Sequence, residues 1–232
     1  MLRIITDFDG PIVDVSERYY RVYQLCLEKT RQPQQQIKVL GKAEFWQMKR
    51  DRIAETEIGI LSGLDQEQAL EFSKLRKQTV HTQPYFEYDV LAEGAVDTLS
   101  KIQHLHVDLA VMTMRRVREL DYAVTKYDLG KFFLENRRYC LANDYVKTRD
   151  IEDKPLLMQR ALGELPPATD TWMIGDTEAD IAAAKRHNIK VIAVECGIRD
   201  RIKLADYQPD LIVKNFSVAV DIILDNWQQH AG

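Results

Sequence analysis

A chain of 232 residues can bury a full hydrophobic core, either as one large domain or as a core with a satellite. Hydrophobic residues at 45% and charged residues at 29% are those of a globular protein, and a net charge of -4 argues against a general attraction to nucleic acid. No apolar run approaches the roughly 18 residues of a membrane span, and the N-terminal apolar stretch meets Asp7 too early for a signal peptide. Three scattered cysteines (Cys26, Cys140, Cys196) read as reduced thiols of a cytoplasmic protein.

In chain order, Leu2, Ile4 and Ile5 belong to a short branched-apolar run of the length of a buried strand, ended by Asp7, Asp9, Gly10 and Pro11. From Ser16 the spacing is helical: Tyr19, Val22, Tyr23 and Cys26 make one stripe. Further helices are expected near 42–54 and over about 66–80, the latter capped by Asp65 and closed by Pro84. Beyond Pro84 the rhythm alternates. Helix at 93–103, strand at 107–112 ending at Thr113, helix to about Lys126 and a short strand at 138–141 come first. Helix at 155–162, strand at 171–174, helix at 181–187, strands at 191–194 and 211–213 and a helix at 217–227 follow. The expected architecture is a doubly wound parallel α/β sheet, residues 1–14 and 85–232, with a helical insertion at 15–84.

Four elements of that core carry candidate chemistry. Asp7 and Asp9 stand where the first strand opens to solvent, and their spacing lets both carboxylates start on one side and converge. Two such acids repel unless a cation or a proton intervenes. Thr113 is expected at a helix start, where its hydroxyl and the backbone N–H of Met114 suit a phosphate oxygen; alone it would be an ordinary N-cap. Lys154 precedes Pro155, which favours the first helical position, so Lys154 is expected at a helix N-terminal edge, where a cation is unfavourable without an anion nearby. Gly175–Asp180 (GDTEAD) is a strand-to-helix turn with Asp176 in the turn and Asp180 in the first helical turn. Asp7, Asp9 and Asp176 offer hard oxygen ligands for Mg²⁺, while Thr113 and Lys154 can bind phosphate. Together these are the parts of phosphoryl transfer through an aspartyl-phosphate.

The segments DFDGPIVD (Asp7–Asp14), VMT (Val111–Thr113), Lys154-Pro155 and GDTEAD resemble, in that order, the haloacid dehalogenase (HAD) superfamily. The likeness is to the subgroup with a helical cap after the first strand, which includes phosphoglycolate phosphatases and β-phosphoglucomutases. The resemblance implies a Rossmann-like core with Asp7 as nucleophile and Asp9 as general acid/base. It implies Thr113 and Lys154 on the transferring phosphoryl group, and Mg²⁺ held by Asp7, Asp176 and the carbonyl of Asp9, with Asp180 in support. The acid at Asp9 argues for phosphate chemistry over dehalogenation, and Pro11 departs from the Thr or Val usual in the family.

The expected activity is hydrolysis of a small phosphorylated metabolite by a monomer or homodimer, with no nucleic-acid or membrane partner. A phosphomutase shares the same intermediate, and a phospho-acceptor or non-catalytic phosphate-binding domain shares several of the residues. The insertion carries 12 Lys+Arg against 9 Asp+Glu, whereas the rest of the chain is net negative. Lys49, Arg50 and Arg52 cluster beside Trp46, and Lys74, Arg76 and Lys77 form a second group. Such charges are commonly just solvated; Arg50 is the expected contact to the substrate's non-transferred end, since Arg can pair with an anion through two hydrogen bonds.

Overall fold

The computed structural model of the protein describes residues 1–231, with side chains as far as Gln229. The chain divides into two compact units, Met1–Asp14 with Leu91–Gly232 and, separately, Val15–Val90. The division falls a few residues beyond Pro84.

Strand β1 (Leu2–Thr6) is buried along its whole length, as expected of a strand covered on both faces of a parallel sheet. A turn through Gly10, whose φ of 90° suits glycine, leads to the short β2 (Val13–Asp14). The second unit follows as α1 (Ser16–Thr30), α2 (Lys42–Arg50), α3 (Glu55–Leu61), α4 (Gln66–Thr79) and a 3₁₀ turn at Gln83–Tyr88. The α1 stripe does what its spacing predicts: Val22, Tyr23 and Cys26 are fully buried, and Tyr23 stacks on Phe45 at 4.7 Å between centroids. Asp65 caps α4, accepting from the Gln68 N–H at 2.9 Å. The helix expected over 42–54 ends at Arg50, because Arg52 takes a left-handed conformation (φ 62°), and α3, at 55–61, is a helix the sequence reading did not expect. Two of the basic residues of the insertion, one from each of its basic groups, serve inside the unit. Arg76 is buried against Glu55 at 2.8 Å, and Lys49 pairs with the same carboxylate.

The core resumes with β3 (Val90–Leu91), α5 (Ala95–His104), β4 (Asp108–Arg116), α6 (Val117–Lys126), β5 (Arg138–Leu141) and α7 (Asp150–Glu164). It ends with β6 (Asp170–Gly175), α8 (Glu178–Arg186), β7 (Lys190–Val194), α9 (Arg201–Ala205), β8 (Leu211–Val213) and α10 (Phe216–Ala231). Six strands form a parallel sheet in the order β5-β4-β1-β6-β7-β8, the Rossmann-like, doubly wound arrangement expected. β1 is central, and its register pairs Thr6 with Val111 of β4 and with Ile174 of β6. Met173, Ala110, Ile5, Met158 and Ile181 pack in one core cluster beside the sheet. No helix among the described residues is long and apolar enough to cross a membrane.

Candidate active site

The register of three strands assembles the site. With Thr6 level with Val111 and Ile174, the next residues along β1, β4 and β6 reach the carboxyl edge of the sheet together. In open α/β sheets this is the ligand-binding edge. Asp7 is tied there by its own N–H, which donates to the Ile174 carbonyl at 2.8 Å, and its Oδ1 accepts from the Phe8 N–H at 2.7 Å.

Lys154 comes to this point from α7. Its ammonium lies 2.8 Å from Asp7 Oδ2 and 2.5 Å from Asp180 Oδ1, with the side chain 1% exposed. The helix that carries it differs from expectation: α7 begins at Asp150, so Pro155 is its sixth residue and Lys154 lies inside the helix. An acidic first turn (Asp150, Glu152, Asp153) complements the helix dipole, and the Asp153 carboxylate gathers the Thr148 N–H and hydroxyl, each at 2.8 Å. That early start outweighs the one ladder donor lost at Pro155.

Asp176 and Asp180 come from the turn between β6 and α8. Asp180 Oδ2 accepts from the Thr177 N–H at 3.0 Å and its hydroxyl at 2.6 Å, a capping box that starts α8 three residues earlier than expected. Asp176 Oδ2 accepts from the Ile198 N–H at 2.6 Å. Glycines make room for these acids. A Cβ on Gly10 would lie 2.5 Å from Asp176 Cγ, and Cβ atoms on Gly197 and Gly175 would overlap the carboxylates of Asp176 and Asp180.

Asp7, Asp176 and Asp180 are all buried, and each offers a carboxylate oxygen within 4.8 Å of the others. Burial, followed by the field of Asp180, pushes Asp176 up to about 7. Burial also raises Asp7 well above the usual carboxylate range; Lys154 opposes this, while Asp180 and Asp176 add to it. Lys154 is pulled the other way: burial disfavours its charge, but Asp180 and Asp7 outweigh that and hold it protonated well above the ordinary lysine value. Three carboxylates facing one ammonium leave a buried site short of positive charge. A hard divalent cation such as Mg²⁺ fits both that deficit and the all-oxygen donor set.

Two sequence expectations change here. Asp9 does not converge on this cluster. β1 ends at Thr6, so the strand alternation that would align Asp9 with Asp7 lapses in the turn, and the Asp9 carboxylate pairs with Arg115 Nε at 2.7 Å. Thr113 does not begin a helix. β4 continues to Arg116, with a register irregularity against β5 between Met112 and Arg116, and α6 starts only at Val117. Thr113 is nevertheless buried at the sheet edge beside Asp7's position in register, and Met114 follows it half-buried. Arg50 belongs to the other unit, as the last residue of α2. Sequence reading missed a part for Arg115, although the period-two pattern running through Thr113 was its signal. It also missed the Gly197-Ile198 turn, which only its spatial meeting with Asp176 reveals.

A Rossmann-like α/β sheet with acids, a lysine and a hydroxyl at its carboxyl edge is the framework of a phosphatase-type hydrolase. Residues 153–219 match a family model described as HAD-hydrolase-like. Over 94% of its length the chain is 23% identical to a phosphoglycolate phosphatase of Pseudomonas fluorescens, covering 78% of that protein. It is also 23% identical to the pyrophosphatase PpaX of Oceanobacillus iheyensis, over 56% of this chain and 59% of that one. The chain spans about half the length of further curated phosphoglycolate phosphatases it matches, 49% in two Pseudomonas proteins. A solved haloacid dehalogenase-like family hydrolase from Streptococcus pneumoniae superposes with a TM-score of 0.68 at 18% identity, covering 95% of this chain and 97% of that one. The chain is thus similar to HAD-like hydrolases over residues 153–219 and, at 23% identity over 94% of its length, to a curated phosphatase, which supports a hydrolase of phosphatase type.

Proposed function

We propose that the chain is a Mg²⁺-dependent phosphatase that hydrolyses a small phosphate monoester through an aspartyl-phosphate on Asp7, in the manner of a phosphoglycolate phosphatase. The observation that carries this reading is the placement of Asp7 at the sheet edge, with Lys154 at 2.8 Å and two further buried carboxylates around it. Asp7 and Asp176 would hold the metal with the Asp9 carbonyl, and Asp180 supports them by fixing Lys154 and the α8 turn. When bound, Mg²⁺ supplies positive charge against the phosphoryl oxygens.

In the first half-reaction an Asp7 carboxylate oxygen attacks phosphorus, the phosphorus–ester oxygen bond breaks, and Asp9 gives its proton to the departing alkoxide. In the second, water attacks the phosphorus of the aspartyl-phosphate and passes its proton to Asp9. Inorganic phosphate leaves, and the Asp7 carboxylate is regenerated. Thr113, the Met114 N–H and Lys154 orient the phosphoryl group, and Arg50 grips the non-transferred end of the substrate. The three free cysteines suit a reducing, cytoplasmic setting.

The test is turnover of a panel of small phosphate monoesters by the native chain and by Asp7→Asn, with and without Mg²⁺. The native chain is expected to turn over a member of the panel only with the metal, and Asp7→Asn none. Enzymatic accelerations reach up to ~10²¹ for monoester hydrolysis, so background cannot mask the loss. Substantial residual turnover in Asp7→Asn would refute the assignment.

A further inference from the structure

Arg115 is a buried cation that touches the site without belonging to the cluster of Asp7, Lys154, Asp176 and Asp180. Because β4 runs past Thr113, burial alternates along its end: Thr113 and Arg115 are buried, Met114 and Arg116 only half so. Arg115 therefore shares Thr113's side of the strand. Its backbone N–H donates to Thr113 Oγ1 at 3.2 Å, and its Nε donates to Asp9 Oδ1 at 2.7 Å. The guanidinium also lies 5.1 Å from the ring centroid of Phe8, itself fully buried between the two acids in sequence. The arm is thus fixed by strand backbone, aromatic face and carboxylate, the kind of planar, stacked setting in which Arg is not replaceable by Lys. Asp9 lies in the turn after β1, bridged to Val13. It precedes Gly10 with its φ of 90°, and keeps its side chain 25% exposed.

We infer that Arg115 is the positioning residue of Asp9, holding the proton-transferring carboxylate in one orientation for both half-reactions. This rests on the phosphatase reading above and gives a part to a residue which that reading leaves unused. Proton transfer needs the carboxylate within roughly 2.6–3.2 Å of the ester oxygen and then of the attacking water. A side chain held from one side by Arg115 does not have to find its rotamer again between the two steps. Both partners of the contact lie within the core unit.

The test is Arg115→Met, alone and combined with Asp9→Asn, assayed with p-nitrophenyl phosphate and with the best alkyl phosphate of the panel. Positioned proton transfer contributes ~10²–10⁴-fold, so kcat of Arg115→Met should fall about 10²-fold on the alkyl phosphate. KM should stay within about threefold, and Mg²⁺ binding by titration calorimetry should match that of the native chain. In the Asp9→Asn background the same substitution should change kcat by less than about twofold, because the group it positions is already gone. Losses that multiply in the double variant, native kcat in Arg115→Met, or a loss confined to KM would each overturn the inference. If Arg115→Met does not fold, Arg115→Lys carries the test, since its ammonium places no donor at the Nε position. The same kcat loss, silent in Asp9→Asn, is expected, and native kcat overturns the inference. Full turnover by Asp7→Asn would defeat the phosphatase reading itself; inactive Asp7→Asn and Asp9→Asn beside a fully active Arg115→Met would defeat only the part given to Arg115.

Discussion

Replacing Lys154 by Met should expose how the acidic cluster is held together. The side chain is 1% exposed, and its ammonium is the near neighbour of both Asp7 (2.8 Å) and Asp180 (2.5 Å). Met preserves the volume of the stem but leaves Asp7, Asp176 and Asp180 facing one another. Removing one partner of a buried ion pair costs about 3–5 kcal/mol, because the remaining charge is stranded. The acids have a way to relieve this: Asp7 and Asp176 are already inclined to hold protons, and without the lysine they hold them more tightly. The full loss of about 3–5 kcal/mol is therefore expected at pH 8 in EDTA, and a smaller one at pH 6. With a urea m-value of about 2–3 kcal/mol/M, the pH 8 loss is a midpoint shift of roughly 1–2.5 M. The assay is urea unfolding followed by fluorescence of Trp172, buried in β6, in a background where Trp46 and Trp227 are Phe, so that the core unit is read alone. A loss below about 1 kcal/mol at pH 8, or an equal loss at both pH values, would show that Lys154 does not balance these carboxylates.

The metal-free native chain should melt at a lower temperature at pH 8 than at pH 5.5. An acid whose folded pKa is raised, like Asp176 at about 7 by burial and Asp180, contributes stability at low pH that is lost as pH rises through that value. Glu55 and Asp153, whose folded pKa values are lowered, titrate below this window, and saturating Mg²⁺ should remove the difference; melting scans in EDTA and in Mg²⁺ check both, and a melting temperature that rises with pH in EDTA would contradict the account. Gly197→Ala places a methyl group on Asp176 Oδ2 and forces that carboxylate off the Ile198 N–H. By analogy with lost outer-shell partners, Mg²⁺ affinity by calorimetry should drop about 10–100-fold while the circular dichroism spectrum is unchanged; unaltered affinity would count against Asp176 as a ligand. Arg50→Ala should raise KM for the preferred substrate and leave p-nitrophenyl phosphate hydrolysis nearly unchanged, and equal effects on both substrates would remove Arg50 from recognition.

The sequence by itself determined the parts that depend on short-range pattern. A continuous apolar run marked β1 because both faces of a central parallel strand are covered, and the stripe at Tyr19, Val22, Tyr23 and Cys26 marked α1 because an amphipathic helix buries one side. Asp7 and Asp176 were legible as candidates because they stand at the ends of apolar runs, Asp180 because it falls in the first turn of the following helix, and Lys154 because it precedes Pro155. Their partners were not. The tertiary structure decided that Lys154 bridges Asp7 and Asp180, that Asp9 turns to Arg115, and that Gly197 clears space for Asp176. Each of these pairs residues on different strands, helices or turns, brought together by the packing of the sheet and its helices over separations that local spacing does not encode. Boundaries behaved in the same way: Pro155 looked like a helix start from its own stereochemistry, yet the Asp153 carboxylate, collecting Thr148 and Tyr145, moved that start back to Asp150. Local propensity lost there to hydrogen bonds formed only once the preceding loop folds against the helix.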